Sequence, residues 1–213
     1  MKHAQILEPR QQAIVAVAAE AASGQLAPLK AALNRGLDQG LTLNDAREVL
    51  VQLYAYAGFP RSLNALGTLM TVREERRQQG IEDTVGDEPN QPIPSGDELL
   101  ARGTATQTQL AGGPVSGPLF DFAPAIDNYL KTHLFGDIFA RDNLSWRDRE
   151  IATIAMLAAL SGVAPQLKAH IAIGRNAGLS RQQLEQVATL LAEQVSADSA
   201  GRVRAALAAY QQQ

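Results

Sequence analysis

The sequence predicts an all-α protein built from two copies of one helical unit, and two observations support this fold class. Alanine and leucine, which favour helices, are abundant, while aromatic residues make up only 5% of the 213 residues. The chain also contains an internal repeat, in which Leu7-Glu-Pro-Arg10 corresponds to Leu144-Ser-Trp-Arg147 and Gly40-Leu-Thr42 corresponds to Gly178-Leu-Ser180. A match of this length, with one inserted residue, indicates a duplicated unit of three helices.

The first unit is predicted to occupy residues 1–78. Ser23-Gly24 separates its first two helices, and Thr42 with Asp45 three residues later is typical of a capped start for the third. In Tyr56-Ala-Gly-Phe-Pro60, the glycine and the proline are expected to end a helix.

The apolar stretch Ala13–Ala19 follows Lys2 and resembles the core of a signal peptide. Glu20 interrupts this stretch, and an equivalent stretch recurs inside the chain at the start of the second repeat. We therefore expect a helix of the fold here, and not a targeting segment.

Between the two repeats the composition changes. Residues 79–96 are rich in proline, glycine and acidic residues, which predicts a loop or linker. Ser95 is expected to cap a short helix that ends at Leu110. The stretch Ala123–Arg141 is predicted to form one helix, bent at Gly136.

The second unit is predicted to occupy residues 97–213. Ser145 is expected to cap its first repeat helix, Ala164–Asn176 to form the second, and Ser180 to cap the third after a left-handed glycine at Gly178. The first repeat helix has apolar residues at i, i+3, i+4 and i+7, which is the spacing of a buried face: Ile151, Ile154, Ala155 and Ala158.

Composition excludes several classes of function. The net charge of −3 offers no basic surface for nucleic acid, and no apolar run approaches the roughly 20 residues of a membrane span. The absence of cysteine removes thiol peroxidase chemistry and fits a reducing, cytoplasmic location. The three histidines (His3, His133 and His170) do not supply a histidine-rich metal site. No nucleotide-binding, zinc or serine-hydrolase motif is present, so no metal and no cofactor is expected.

Several motifs together resemble the carboxymuconolactone decarboxylase family, which includes alkylhydroperoxidase D. They are Phe135-Gly-Asp-Ile-Phe139, the arginine-rich Leu144–Arg149, Leu167-Lys-Ala-His170 and Gly178-Leu-Ser180. The first repeat instead retains the family's Tyr-Xaa-Gly-Xaa-Pro ending, at Tyr56–Pro60. The resemblance implies two helical units of this type with orthogonal helix packing, assembled as a homotrimer that mimics a hexameric ring.

The resemblance also singles out site residues. His170 is the candidate proton carrier, because a histidine titrates near neutral pH, and Arg147 or Arg149 would bind substrate anions. The alternative for His170 is a partly buried histidine that is hydrogen-bonded to a carbonyl group. Glu150 is either a second acid or base, or a helix-start acid paired with one of the two arginines.

Three further residues are candidates for lining a substrate pocket. Asp137 matches an acid of the family pattern, although a capping or ion-pair role is equally compatible with it. Tyr56 would donate a hydrogen bond into a pocket or pack in the core, and Trp146 would form a pocket wall or a contact at the start of its helix. In the peroxidase branch a Cys-Xaa-Xaa-Cys pair precedes the histidine, and the matching Val163-Ala-Pro-Gln166 has no sulfur.

Taken together, these residues predict a cofactor-independent lyase or isomerase, such as a carboxy-lyase, that acts on a small carboxylated lactone or oxo acid through His170. The alternative is a non-catalytic, small-ligand-binding or stress-related member of the family. In both cases the expected partner is a small-molecule carboxylate.

Overall fold

A computed structural model describes residues 6–210, so His3 and Lys2 lie outside the described part of the chain. Within that range the protein forms eleven α-helices and no β-strand, which confirms the predicted all-α class. The α-helices are α1 (Pro9–Ser23), α2 (Leu26–Asp38), α3 (Leu43–Gln52), α4 (Tyr54–Gln78), α5 (Gly96–Ala111), α6 (Pro118–Phe122), α7 (Pro124–Tyr129), α8 (Trp146–Ala159), α9 (Ala164–Asn176), α10 (Arg181–Gln194) and α11 (Ala197–Tyr210).

Helices α1 and α8 are the first helices of the two repeats, and they pack against each other at the centre of the molecule. Ile14 and Val17 of α1, with Ile151 and Ile154 of α8, are completely buried. Both helices are enclosed on nearly all sides, which is why their sequences are apolar around most of the circumference. The two repeats therefore share one hydrophobic core.

Most of the predicted helix starts and stops of the repeats are confirmed. The exception is that Gly58 and Pro60 do not end a helix. Gly58 makes a kink inside α4 (φ 84°, ψ 162°), and the helix continues through Pro60 to Gln78, because a proline just after a break lacks only an amide that would be unbonded there. The Oγ1 atom of Thr42 accepts a hydrogen bond from the Asp45 amide at 3.0 Å, and the Thr42 amide donates to the Asp45 carboxylate. Ser180 and Gln183 form the same reciprocal pair at the start of α10. Gly178 has φ 96°, the left-handed conformation that favours glycine after a helix.

The prediction of one helix over Ala123–Arg141 is wrong. Helix α7 passes into a π-helical turn at Leu130–Phe135, and a separate 3-10 turn follows at Ile138–Ala140. A cause lies in α5, because an added Cβ on Gly103 would lie 1.6 Å from the Lys131 carbonyl oxygen. The backbones of α5 and the π-helical turn thus touch directly, and the segment deforms around this contact. Helix α5 is present as expected, but the side chain of Ser95 makes no capping hydrogen bond.

Residues 81–95, which we call the strap, have no regular secondary structure but are tied to the first unit. The amides of Leu43 and Asn44 donate hydrogen bonds to the carbonyl oxygens of Thr84 and Val85 at 3.0 and 2.8 Å. The strap therefore satisfies free amide groups at the start of α3. No helix within residues 6–210 is both long enough and apolar enough to span a membrane.

Candidate active site

His170 and Glu150 form a buried hydrogen-bonded pair between α8 and α9. The Nδ1 atom of His170 lies 2.9 Å from the Oε2 atom of Glu150. The Glu150 side chain is fully buried, while that of His170 is 10% exposed. Glu150 thus pairs with His170 and not with Arg147 or Arg149, and the partner of His170 is a carboxylate and not a carbonyl group.

Tyr56, from the first repeat, packs against this pair. Its ring meets the His170 imidazole edge to face, with centroids 5.7 Å apart and an interplanar angle of 82°. Burial, together with the charge of Glu150, raises the pKa of Tyr56 well above its usual range, so the phenol keeps its proton. The Tyr56 hydroxyl and the Oε1 atom of Glu150 are buried and make no hydrogen bond of normal geometry among residues 6–210, although the Thr153 hydroxyl lies near Tyr56.

Arg149 belongs to a buried ion-pair network with the first unit, and it makes no hydrogen bond to His170 within residues 6–210. Its guanidinium lies 3.1 Å from the Glu48 carboxylate and also donates to the Arg141 carbonyl oxygen at 2.8 Å. Burial lowers the pKa of Arg149 from its ordinary value, although the charge of Glu48 opposes this shift. Arg149 is completely buried, so its charge is neutralised inside the protein.

Glu48 binds two arginines, because the Arg141 guanidinium also contacts its carboxylate, at 2.6 Å. Burial on its own would raise the pKa of Glu48. The hydrogen bond from Arg141 and the positive charge of Arg149 outweigh burial and hold the pKa below its ordinary value. Glu48 is therefore a carboxylate at neutral pH.

Gln52 extends this network towards Tyr56 and was not singled out from the sequence. Its amide nitrogen donates to the Thr153 hydroxyl at 2.8 Å and to the Arg149 carbonyl oxygen at 3.0 Å. A signal was present in the sequence, since Asp45, Glu48 and Gln52 place three polar side chains along one stripe of α3. All three are buried, so the stripe is the surface through which α3 contacts its polar partners.

Arg147 lies one turn before Glu150 on the same face of α8. It is half-buried, and its Nη2 atom contacts the Gln183 side-chain oxygen at 3.3 Å. Its Nε atom is buried and has no hydrogen-bond partner within the described part of the chain. The Nε atom of Arg149 also lacks a partner, but Arg149 is paired with Glu48, whereas Arg147 forms no ion pair with an acidic side chain within residues 6–210.

Trp146 and Asp137 lie outside the His170–Glu150 pair. The Nε1 atom of Trp146 donates to the Phe139 carbonyl oxygen at 2.9 Å, and its ring packs on a second, smaller apolar cluster. Asp137 is partly exposed and its Oδ2 atom is 3.9 Å from Nδ1 of His133. No hydrogen bond joins either residue to His170 in residues 6–210.

The first repeat does not contain a second copy of this pair. In the repeat alignment Glu150 corresponds to Ala13 and His170 to Ala32, and both alanines are buried in the core. The one pair is completed by the first repeat through Tyr56. No group of three or more potential metal-binding His, Asp or Glu side chains occurs in residues 6–210.

The arrangement provides an imidazole whose Nδ1 is held by a buried carboxylate. A carboxylate on Nδ1 fixes the proton there, so Nε2 is the ring nitrogen left to exchange a proton with another molecule. The protonated phenol of Tyr56, on α4, packs against this imidazole, and Arg147 lies one turn from Glu150 on α8. Such a set can move a proton and can bind an anion.

Comparison with known families gives one match. The model of the carboxymuconolactone decarboxylase family matches residues 1–69 and 124–212. The two matched segments cover well over half of the chain and correspond to its two repeats, leaving out residues 70–123, which hold the end of α4, the strap, α5 and α6. A search of curated proteins finds no match.

Proposed function

The chain belongs to the carboxymuconolactone decarboxylase family, and on this basis we propose a cofactor-independent lyase or isomerase whose proton carrier is His170. Its substrate is a small carboxylated lactone or oxo acid. The absence of cysteine removes the alternative of a thiol peroxidase.

The observation that carries this proposal is the 2.9 Å contact between His170 Nδ1 and the fully buried Glu150 carboxylate. A structural histidine needs only one satisfied partner, but this pair leaves two buried polar atoms without partners beside it, on Glu150 and Tyr56. Buried atoms of this kind are rare in folded proteins and call for a bound group. A substrate oxygen or a water molecule beside His170 would satisfy both.

In the proposed reaction, the bond between a ring carbon and the departing carboxylate breaks and releases carbon dioxide. The electron pair enters the neighbouring carbonyl group of the substrate and forms an enolate. Protonated His170 gives its Nε2 proton to the carbon, and the imidazole then takes up one proton from water, so that atoms and charge balance. Glu150 stabilises the imidazole of His170 while it is protonated.

Arg147 is the better candidate for binding the substrate anion. It shares a face of α8 with Glu150, is half-buried and forms no ion pair with an acidic side chain within residues 6–210, whereas Arg149 is completely buried and paired with Glu48. A free guanidinium donor recognises carboxylates through two parallel hydrogen bonds. Trp146 and Asp137 take no part in the proposed reaction.

The test measures carbon dioxide release from 4-carboxymuconolactone and a panel of β-oxo acids by the full-length protein. We expect His170→Ala to abolish turnover and Glu150→Gln to reduce it by about 10²–10⁴-fold, the usual contribution of general acid catalysis. Arg147→Met should raise KM more than it lowers kcat, because it removes an interaction that substrate and transition state share.

The matched control is His133→Gln. His133 is a half-exposed histidine that makes no contact with Glu150, and its replacement should leave turnover unchanged. Full turnover by His170→Ala on any substrate that the wild type converts would disprove the mechanism. Absence of turnover on the whole panel, despite binding, would favour the alternative below.

The alternative is a non-catalytic, ligand-binding or stress-related member of the family. What favours it is burial: His170 has little exposed surface, and a cavity of about 540 Å³ elsewhere on the molecule is not lined by His170 or Glu150. A metabolite screen by thermal shift addresses it, because a ligand bound to the native state raises the apparent melting temperature. Stabilisation that is equal in the wild type and in His170→Ala would separate binding from catalysis.

Self-association as a homotrimer is part of the same proposal, as is a cytoplasmic location. Support for self-association comes from large apolar side chains that are exposed along one stripe of α4 and along α6 and α7. These are Phe59, Leu63, Met70, Leu119, Phe122, Ile126 and Tyr129. Apolar patches of this kind mark protein interfaces. Light scattering of the purified protein tests it, and a monomer at micromolar concentration would refute it.

A further inference from the structure

A groove with a cavity volume of about 540 Å³ lies between the end of α8, the start of α9 and helix α11. This volume falls within the range of about 300–1,000 Å³ that is typical of small-molecule sites. Most of the lining side chains are aliphatic, among them Leu157 and Leu160 of α8 and Leu167 of α9. The groove is separate from the His170–Glu150 pair.

The groove exists because α11 presents small side chains to it. Ala205 and Ala209 lie one turn apart on α11 and line the groove together with Pro165 at the start of α9. Methyl groups at these positions do not fill the space between the helices. The same helix carries Ala208 on its exposed face, away from the groove.

Two cations, Lys168 and Arg202, are the charged residues of the lining. Neither forms an ion pair with an acidic side chain among residues 6–210, and Arg202 donates one hydrogen bond to the Ala158 carbonyl oxygen at 2.8 Å. No acidic residue lines the groove. The groove is therefore mainly apolar, and both of its charged lining residues are positive.

The corresponding lysine of the first repeat is paired with an acid, so the unpaired positive charge of Lys168 is specific to the second repeat. Lys168 corresponds to Lys30 in the repeat alignment, and Lys30 is paired with Glu75 of α4 at 2.6 Å. Helix α11 is shorter than α4 and supplies no equivalent acid. The equivalent lysine of the second repeat is left to bind an anion from outside.

We infer that this groove binds a free alkanoate of medium chain length, with its alkyl chain against the aliphatic wall and its carboxylate at Lys168 and Arg202. An apolar wall on its own would accept any hydrophobic molecule. The two unneutralised cations select an anionic head group, and the aliphatic lining accepts an alkyl chain. This site does not depend on the chemistry proposed for His170.

Calorimetric titration of the full chain with hexanoate, octanoate and decanoate tests this inference. We expect one site per chain, with affinity rising by up to about fourfold for each added methylene, as burial of a methylene group predicts. Decanol should bind more weakly than decanoate. The variant His170→Ala should bind decanoate as the wild type does, so that failure of this inference and failure of the proposed reaction are distinguishable.

Two pairs of variants locate the site. Ala209→Phe fills the groove and should abolish decanoate binding, whereas Ala208→Phe, on the exposed face of the same helix, should not change it. Lys168→Gln should weaken decanoate several-fold and leave decanol unchanged, whereas Lys30→Gln should affect neither.

Three results would overturn the inference. Equal affinity for decanoate and decanol would remove the role of the cations. Retention of decanoate binding in Ala209→Phe would place the ligand elsewhere. The third result is that the wild type binds no alkanoate and its molecular mass in solution rises with protein concentration, but the mass of Ala209→Phe does not. That result would show that a second copy of the chain occupies the groove.

Discussion

The replacement Glu48→Gln tests the buried network that joins the two repeats beside the candidate site. Glu48 is 1% exposed and its carboxylate contacts Arg149, which is fully buried, and Arg141, which is partly exposed. In the variant, Arg141 can turn towards solvent, but Arg149 cannot. The substitution therefore leaves one positive charge in the interior without a counter-charge.

Removing one partner of a buried ion pair costs about 3–5 kcal/mol of the free energy of unfolding. For a chain of this length, about 1 kcal/mol changes the melting temperature by roughly 2–4 °C. We therefore expect Glu48→Gln to lower the melting temperature by roughly 6–20 °C. The exposed Glu88, which pairs with Arg47 on the surface, is the matched control, and Glu88→Gln should change stability by no more than about 1 kcal/mol.

Scanning calorimetry and urea titration of three variants decide the matter. The double variant Glu48→Gln/Arg149→Met removes both charges and should recover most of the loss, because a well-packed apolar pair often replaces a buried ion pair at little cost. A single variant within about 1 kcal/mol of the wild type, or a double variant no better than the single one, would contradict this account of the network.

The same network predicts a dependence of stability on pH. The folded-state pKa of Glu48 lies below its value in the unfolded chain, so its stabilising contribution is fully present above the unfolded value of about 4.3. It is lost as the pH falls through the lower folded value. The wild type should therefore lose more stability than Glu48→Gln between pH 5 and the acid limit, and equal pH profiles would refute this assignment.

Two further predictions concern packing and the site. Gly103→Ala should destabilise the protein by about 1–3 kcal/mol, because the new methyl group meets the Lys131 carbonyl oxygen. Gly67→Ala, in open space on α4, should instead stabilise it by about 0.5–1 kcal/mol. If urea titration gave both changes in stability the same sign, the described contact at Gly103 would be contradicted. Tyr56→Phe removes a buried hydroxyl that makes no hydrogen bond of normal geometry, so the melting temperature of the variant should not fall. Its turnover should be lower than that of the wild type. A lower melting temperature with unchanged turnover would show that the hydroxyl has a structural partner.

The sequence predicted the repeat helices well because the residues that start and end each helix lie within a few positions of one another. The helix Ala164–Asn176 has the predicted bounds, and Thr42 and Ser180 make the predicted capping hydrogen bonds. A capping residue and its partner are three positions apart, so the sequence contains the whole interaction. The apolar faces of α1 and α8 follow in the same way from the helical period.

The predictions that were wrong, or that sequence reasoning missed, depend on distant residues. The π-helical turn at Leu130–Phe135 adjoins Gly103 of another helix, which no local pattern reveals. Arg149 was considered beside Glu150 because they are neighbours in sequence, but its partner Glu48 is 101 positions away. The predicted roles of His170 and Glu150 in catalysis remain predictions, although the two side chains lie in contact.

The strap makes the connection between the repeats unusually sensitive to insertions and deletions. Connecting segments usually tolerate insertions and deletions, because they lie on the surface and their backbone groups bond to water. Here the carbonyl oxygens of Thr84 and Val85 complete α3, and Asp83 holds the buried Arg76. A change in the length of this segment would disturb the first repeat itself, so the joint between the repeats should tolerate insertions and deletions less well than an ordinary surface loop.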